Sequence, residues 1–207
     1  RKEQLGAVEF DPSPYRGTDD SISHGALVGL NYLLGMIDTS TGKSLVTYLN
    51  SIQQQHPDSV RSSMFITGHS LGGMLATVLS AWFLDVGYSS KFELTTYTFA
   101  APSAGNQQFV QHYTNIFNSA DALSYSVMNP NDLVPYFYGD LADVIVDQIP
   151  TTLPYAVDAV ILAMDAYFIK YHLIYEQAGI LNTLPSATPS DCTYPSGSLD
   201  QYECYVA

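Results

Sequence analysis

The feature that most narrows what this chain can fold into is the pentad Gly68-His69-Ser70-Leu71-Gly72, set between two apolar segments of different character. Residues 63–67 (Ser-Met-Phe-Ile-Thr) are a short β-rich run, whereas Met74 to Val86 is apolar on nearly every face, as a buried helix is. Glycines on either side of Ser70 allow a reversal sharp enough to pass from strand to helix and lift the serine hydroxyl clear of the sheet. G-x-S-x-G needs that strand before it and that helix after it, so Ser70 is the candidate nucleophile. With Ser70 at the helix start, the backbone N–H of Leu71 points to where an oxyanion would form, aided by the positive end of the helix dipole.

The same alternation continues downstream. Leu94 to Phe99 is β-branched and aromatic and is ended by Ala101-Pro102-Ser103-Ala104-Gly105, after which Phe109, Val110, Tyr113, Ile116 and Phe117 recur at helical spacing. Ser124 to Met128 reads as a third strand, closed by the turn formers Asn129-Pro130-Asn131-Asp132. Upstream, Ala26 to Ile37 and Leu45 to Gln55 read as helices, the second stopping before Pro57. Residues 141–184 look mostly helical, broken by Pro150 and Pro154. Strands alternating with helices imply an α/β fold, a mostly parallel sheet with helices on both faces. At 207 residues, 46% hydrophobic and 13% charged, the chain suits one packed domain over residues 1–184 followed by a tail, 185–207.

A serine hydroxyl becomes a nucleophile only when a base takes its proton. On a turn of this kind the partners follow in the order acid, then histidine. Of five histidines, His24 and His56 come too early, His69 lies inside the turn, and His112 precedes the best acid and reads as the exposed side of a helix. His172 remains as the candidate base, the bland alternative being a ring packed between Tyr171 and Tyr175. Nine Asp or Glu residues separate Ser70 from His172. Asp132 stands out because it follows a strand at its carboxyl end, where parallel α/β sheets assemble their sites, and is framed by Pro130 and Pro135. Asp140, Asp143 and Asp147 stay open as acids on another loop.

Seven Lys and Arg against twenty Asp and Glu give a formal charge of −13, a field that repels phosphate backbones and argues against nucleic acid as a partner. The most apolar run, Ala156 to Ile169, carries Asp158 and Asp165 and falls short of the roughly 20 residues that cross a bilayer, so no transmembrane segment is expected. Cys192 and Cys204 sit in the Pro-, Ser- and Tyr-rich tail, where a disulfide would close a short loop; that reading favours a secreted or otherwise extracytoplasmic protein, and two unpaired thiols are the alternative.

Four segments, taken together and in order, resemble the class 3, fungal-type lipases of the α/β-hydrolase superfamily. They are Ser23-His24-Gly25 before a long helix; Phe65-Ile66-Thr67-Gly68-His69-Ser70-Leu71-Gly72-Gly73-Met74-Leu75-Ala76; Tyr97-Thr98-Phe99-Ala100-Ala101-Pro102-Ser103-Ala104-Gly105-Asn106 with Phe109; and Asn129-Pro130-Asn131-Asp132-Leu133-Val134-Pro135. The resemblance implies Ser70 as nucleophile, Asp132 as acid, Tyr171-His172 as the late histidine, and hydrolysis of acyl esters without metal or organic cofactor. It also implies a lipid substrate and transient contact with a lipid interface. Short-chain, feruloyl or phospholipase A1-type esterase activity, or a non-catalytic protein on the same fold, are the alternatives. The sequence departs from the family at its start: Tyr15-Arg16-Gly17-Thr18 imitates the R-G-[ST] turn that supplies the other oxyanion donor, yet Pro12 and Pro14 make the preceding stretch a poor central strand, so the segment reads as a remnant after the lid, with the usual N-terminal strands expected to be missing and Thr18 as donor the alternative.

Overall fold

Runs in which bulky apolar or β-branched residues alternate with outward-facing ones become strands, and the all-round apolar run after Ser70 becomes the central helix. The computed structural model describes residues 7–9, 19–55, 61–130, 132–139, 175–184 and a few positions between 159 and 170. In chain order its elements are β1 (Ala7–Glu9), β2 (Ser21–Ser23), α1 (His24–Gly35), α2 (Leu45–Gln55), β3 (Ser62–His69), α3 (Leu71–Asp85), β4 (Phe92–Phe99), β5 (Gly105–Asn106), α4 (Gln107–Ala120), β6 (Leu123–Met128), β7 (Tyr175–Glu176) and β8 (Ile180–Thr183). β3, β4, β6 and β8 form one sheet in that order, every pairing parallel. β1, β2, β5 and β7 form a small antiparallel sheet.

The core lies between the parallel sheet and α3 and α4. Along β4, Phe92, Leu94, Thr96 and Thr98 are buried, while Glu93, Tyr97 and Phe99 face out. α3 contributes Met74, Val78, Ala81 and Phe83 and α4 the stripe Phe109, Tyr113 and Phe117. Polar groups inside this layer are paired: Ser80 Oγ lies 2.7 Å from Thr96 Oγ1, and Tyr113 Oη 2.8 Å from Ser124 Oγ, which removes the cost of burying them unsatisfied. α1 and α4 each start on a side-chain cap, Ser23 Oγ accepting from Ala26 N–H and Asn106 Oδ1 from Phe109 N–H. On the opposite face of the sheet Phe65, Tyr97, Phe99 and Leu123 are exposed, Phe65 by 67%, and Tyr97 stacks on Tyr125.

Two expectations are corrected. Residues 175–183 are not helical: β7 pairs with β5, and β8 runs parallel to β6 from Tyr125↔Ile180 to Met128↔Thr183. The turn between them uses Gly179 at φ +90°, where a Cβ would meet Ser124. His112 is not on an exposed side of α4. Its Nε2 lies 2.9 Å from Asp85 Oδ2 at the end of α3, and its Nδ1 3.6 Å from Asp20 Oδ2 just before β2. The ring has 16% side-chain exposure and the two carboxylates 10% and 3%, Asp20 and Asp85 respectively.

This clasp ties β2 to the helical layer and has a pH signature. The hydrogen bond to Asp85 raises the His112 pKa above the ordinary value, against burial and with help from the charges of Asp85 and Asp20. Burial raises Asp20 as well, with His112 opposing and Asp85 and Asp19 adding to the rise. A histidine with a raised folded-state pKa stabilises fully below its unfolded value of about 6.5 and loses that contribution as pH climbs through the folded value. Thermal unfolding followed by circular dichroism should therefore show the wild-type Tm falling as pH rises above neutrality. His112→Gln should lose about 2 kcal/mol, roughly 5 °C in Tm, on the acid side and respond much less to pH; parallel pH curves for the two proteins would refute the clasp.

Candidate active site

β3 ends at His69, and the chain reverses at Ser70 into α3. Ser70 takes φ 55° and ψ −129°, a left-handed conformation that a non-glycine residue holds only when its surroundings enforce it. Enforcement comes from three backbone bonds: Ser70 N–H donates to the Phe99 carbonyl at 2.9 Å, and the Ser70 carbonyl accepts from Gly73 N–H at 2.8 Å and Met74 N–H at 3.3 Å. Glycine is demanded at 68, where a Cβ would run into the Gly72 carbonyl, and at 73, where it would sit 2.6 Å from the Ala101 Cβ. Gly72, by contrast, faces open space. The sequence reading that treated Gly68 and Gly72 as the pair making room is thus half right, and Gly73 is the second steric requirement.

No side-chain cap closes the start of α3. The amides of Leu71 and Gly72 precede the first possible intrahelical bond and stand at the positive end of the helix, next to Ser70. Leu71 is 46% exposed, so the start of α3 lies at the protein surface.

Asp132 follows β6 on the same carboxyl edge of the sheet. Ala100, itself at φ 48°, donates its N–H to the Val127 carbonyl at 2.8 Å and so links the end of β4 to the end of β6. β3 and β6 are separated by one strand, about 10 Å. The loop is stiffened from within: Asp132 N–H donates to the Asn129 carbonyl, and Asp132 Oδ1 accepts from Val134 N–H at 2.9 Å as the chain enters the 3₁₀ turn Val134–Tyr136. Asp132 is half-buried. Burial raises its carboxyl above the usual range, partly offset by the Val134 N–H and by the charge of His69. That is the electrostatic setting of a carboxylate that gains from a cationic neighbour.

The structure therefore brings Ser70, the Leu71 amide and Asp132 to one edge. His172, Cys192, Cys204 and the R-G-[ST]-like Arg16-Gly17-Thr18 lie outside the described residues. Among the described residues there is no cluster of three His, Cys, Asp or Glu side chains able to hold a metal ion, and no helix is long and apolar enough to cross a membrane.

One residue at this edge is invisible to sequence reasoning. Gln177, just after β7, donates from Nε2 to the Ala101 carbonyl at 2.8 Å, the Pro135 carbonyl at 2.6 Å and Ser103 Oγ at 3.3 Å, and its Oε1 accepts from Ser126 Oγ at 3.3 Å. It touches the loops after β4 and β6 and β6 itself. A lone glutamine between Glu176 and Ala178 carries no pattern that would have flagged it.

A family model described as Lipase (class 3) matches residues 7–141. The protein named phospholipase A1-II 1 of Oryza sativa is 30% identical over 122 residues, 56% of this chain and 30% of the rice protein. A lipase of Caenorhabditis elegans is 30% identical over 80 residues, 39% of this chain and 22% of the nematode protein. This chain thus spans less than a third of the length of these relatives. Among solved structures, M37 lipase superposes with a TM-score of 0.77 at 20% identity, over 99% of this chain and 60% of that one. The triacylglycerol lipase of Penicillium expansum does so with a TM-score of 0.57 at 16% identity, over 89% of this chain and 54% of its own. These likenesses establish a shared α/β-hydrolase-type fold. Since the family match runs across β3, the Ser70 turn, β4, β6 and the Asp132 loop, the chain belongs to the class 3 lipase family.

Proposed function

We propose that the protein hydrolyses carboxylic esters of lipids through an acyl-enzyme on Ser70, with His172 as base and Asp132 as the acid that orients it. The observation that carries this reading is the strained turn at Ser70, φ 55°, opening beside an uncapped helix start on the same edge as Asp132. Chain order supports His172: it follows Asp132, and Tyr175, three residues on, donates its N–H to the Tyr138 carbonyl at 2.8 Å, just beyond the Asp132 loop.

In this mechanism His172 takes the Ser70 proton as Oγ attacks the acyl carbonyl carbon. The developing oxyanion is held by the Leu71 N–H and the helix dipole. The intermediate collapses, its C–O bond breaks, and the departing alcohol receives the proton from His172. Water, deprotonated by the same imidazole, then cleaves the acyl-enzyme to release the fatty acid and restore Ser70.

Acylglycerols are the leading substrate class by family. Phospholipid acyl esters are a second reading, favoured by the name of the rice relative. With a formal charge of −13, the protein is expected to act at neutral or zwitterionic lipid surfaces in preference to anionic ones. An extracytoplasmic setting, with Cys192 and Cys204 joined, belongs to the same proposal.

A fluorophosphonate probe followed by peptide mapping tests the chemistry directly. Label is expected on the peptide containing Ser70, with parallel loss of hydrolysis of p-nitrophenyl esters, tributyrin and phosphatidylcholine vesicles. Folded protein that takes up no label and turns over none of these substrates would mark it as a binding protein on a hydrolase fold.

A further inference from the structure

We propose that Gln177 is a positioning residue that locks the loop after β4, packed against the Ser70 turn, to the loop after β6 that presents Asp132. The proposal rests on the triad reading above and deepens it. Its side-chain amide has two N–H groups, and the two short bonds run to different loops: Ala101 at 2.8 Å and Pro135 at 2.6 Å. Ala101 belongs to the nucleophile's side of the site, since its Cβ packs where Gly73 of α3 has none. Pro135 belongs to the acid's side, three residues beyond Asp132 and fully buried. One planar group thus spans both halves, and Ser126 Oγ at 3.3 Å orients it by donating to Oε1.

The chemistry of these contacts is specific to an amide of this length. Both short acceptors are backbone carbonyls, so the partner must donate twice. Glutamate at position 177 would set a carboxylate against them, and methionine would leave two buried acceptors without this donor. Ser103 Oγ, 3.4 Å from the Pro135 carbonyl, compensates only one of the two. Position 177 is five residues past His172, and Tyr175 between them is bonded to Tyr138 at the far end of the acid loop. Two anchors, at Tyr175 and Gln177, therefore hold residues 175–177 against both loops. A shift of about 1 Å between those loops costs catalysis far more than binding.

Steady-state hydrolysis of p-nitrophenyl butyrate across pH, with active-site titration to count competent molecules, separates positioning from folding. For Gln177→Met the expected result is kcat reduced by 10- to 100-fold per titrated site with KM changed less than about threefold, and an acid limb of kcat displaced to lower pH, because an imidazolium held away from Asp132 is less stabilised. Gln177→Asn, too short to reach both carbonyls, should show the same signature more weakly, and it serves as the readout if the methionine variant fails to fold. Either variant, folded, with wild-type kcat per titrated site and an unmoved acid limb overturns the role of Gln177. His172→Ala is run beside them: if it keeps wild-type kcat the triad itself is wrong, whereas an inactive His172→Ala with a normal Gln177 variant defeats only the positioning role.

Discussion

Ser70→Ala is expected to lower kcat/KM for p-nitrophenyl esters by on the order of 10⁴-fold or more, to the level at which binding and the oxyanion site alone act. The same variant should unfold within about 0.5 kcal/mol of wild type. What holds residue 70 at φ 55° is backbone: its N–H on the Phe99 carbonyl and its carbonyl on the Gly73 and Met74 amides. Alanine keeps all three bonds and meets the same strain, so only the hydroxyl is lost. The comparison is therefore clean, pairing a large kinetic effect with a small thermodynamic one. Equal hydrolysis by the two proteins, both folded by circular dichroism, would remove Ser70 from the chemistry. Reactivity towards fluorophosphonate should vanish with the hydroxyl.

Asp132→Asn carries the second large effect, a fall in kcat on the order of 10⁴-fold, because an amide cannot stabilise the imidazolium or select its tautomer. Its stability should move the other way. Burial raises the Asp132 carboxyl, so the folded protein bears a cost in keeping it ionised, present above the folded pKa and relieved as pH falls through that value. Asparagine removes the charge and still offers Oδ1 to the Val134 N–H, the bond of 2.9 Å that closes the loop. The variant should match or exceed the wild-type Tm at neutral pH, with the difference shrinking in acid. A variant that loses activity only because it has unfolded would contradict the assigned role, as would one that keeps its rate.

Legibility in the sequence followed the range of the interactions. The strand, the turn and α3 were readable because Gly68, Ser70 and Gly72 form a local pattern between two apolar runs, although the second steric requirement falls on Gly73, and the Asp132 loop because Asn129, Pro130 and Pro135 punctuate it locally. β7 and β8 were not, since Tyr175–Glu176 and Ile180–Thr183 are too short to show a period and become strands only by pairing with β5 and β6. His112 was misplaced for a related reason. Its partners, Asp20 and Asp85, come from before β2 and from the end of α3, and nothing in the helical spacing of α4 announces two buried carboxylates. Gln177 shows the limit most sharply, because an amide becomes informative only once the carbonyls it reaches are known. The role of His172 rests on chain order and is tested by His172→Ala.

That β8 borders β6 also bears on biosynthesis. A ribosome releases the elbow and the acid loop first, yet the outer margin of β6 waits for residues 180–183, and the amide at 177 arrives only just before them. Such pairings, closed across a wide gap in the chain, form slowly compared with local ones. The proposed site therefore waits on residues 172–183, and a nascent chain halted before them would carry a complete nucleophile turn without its proposed base.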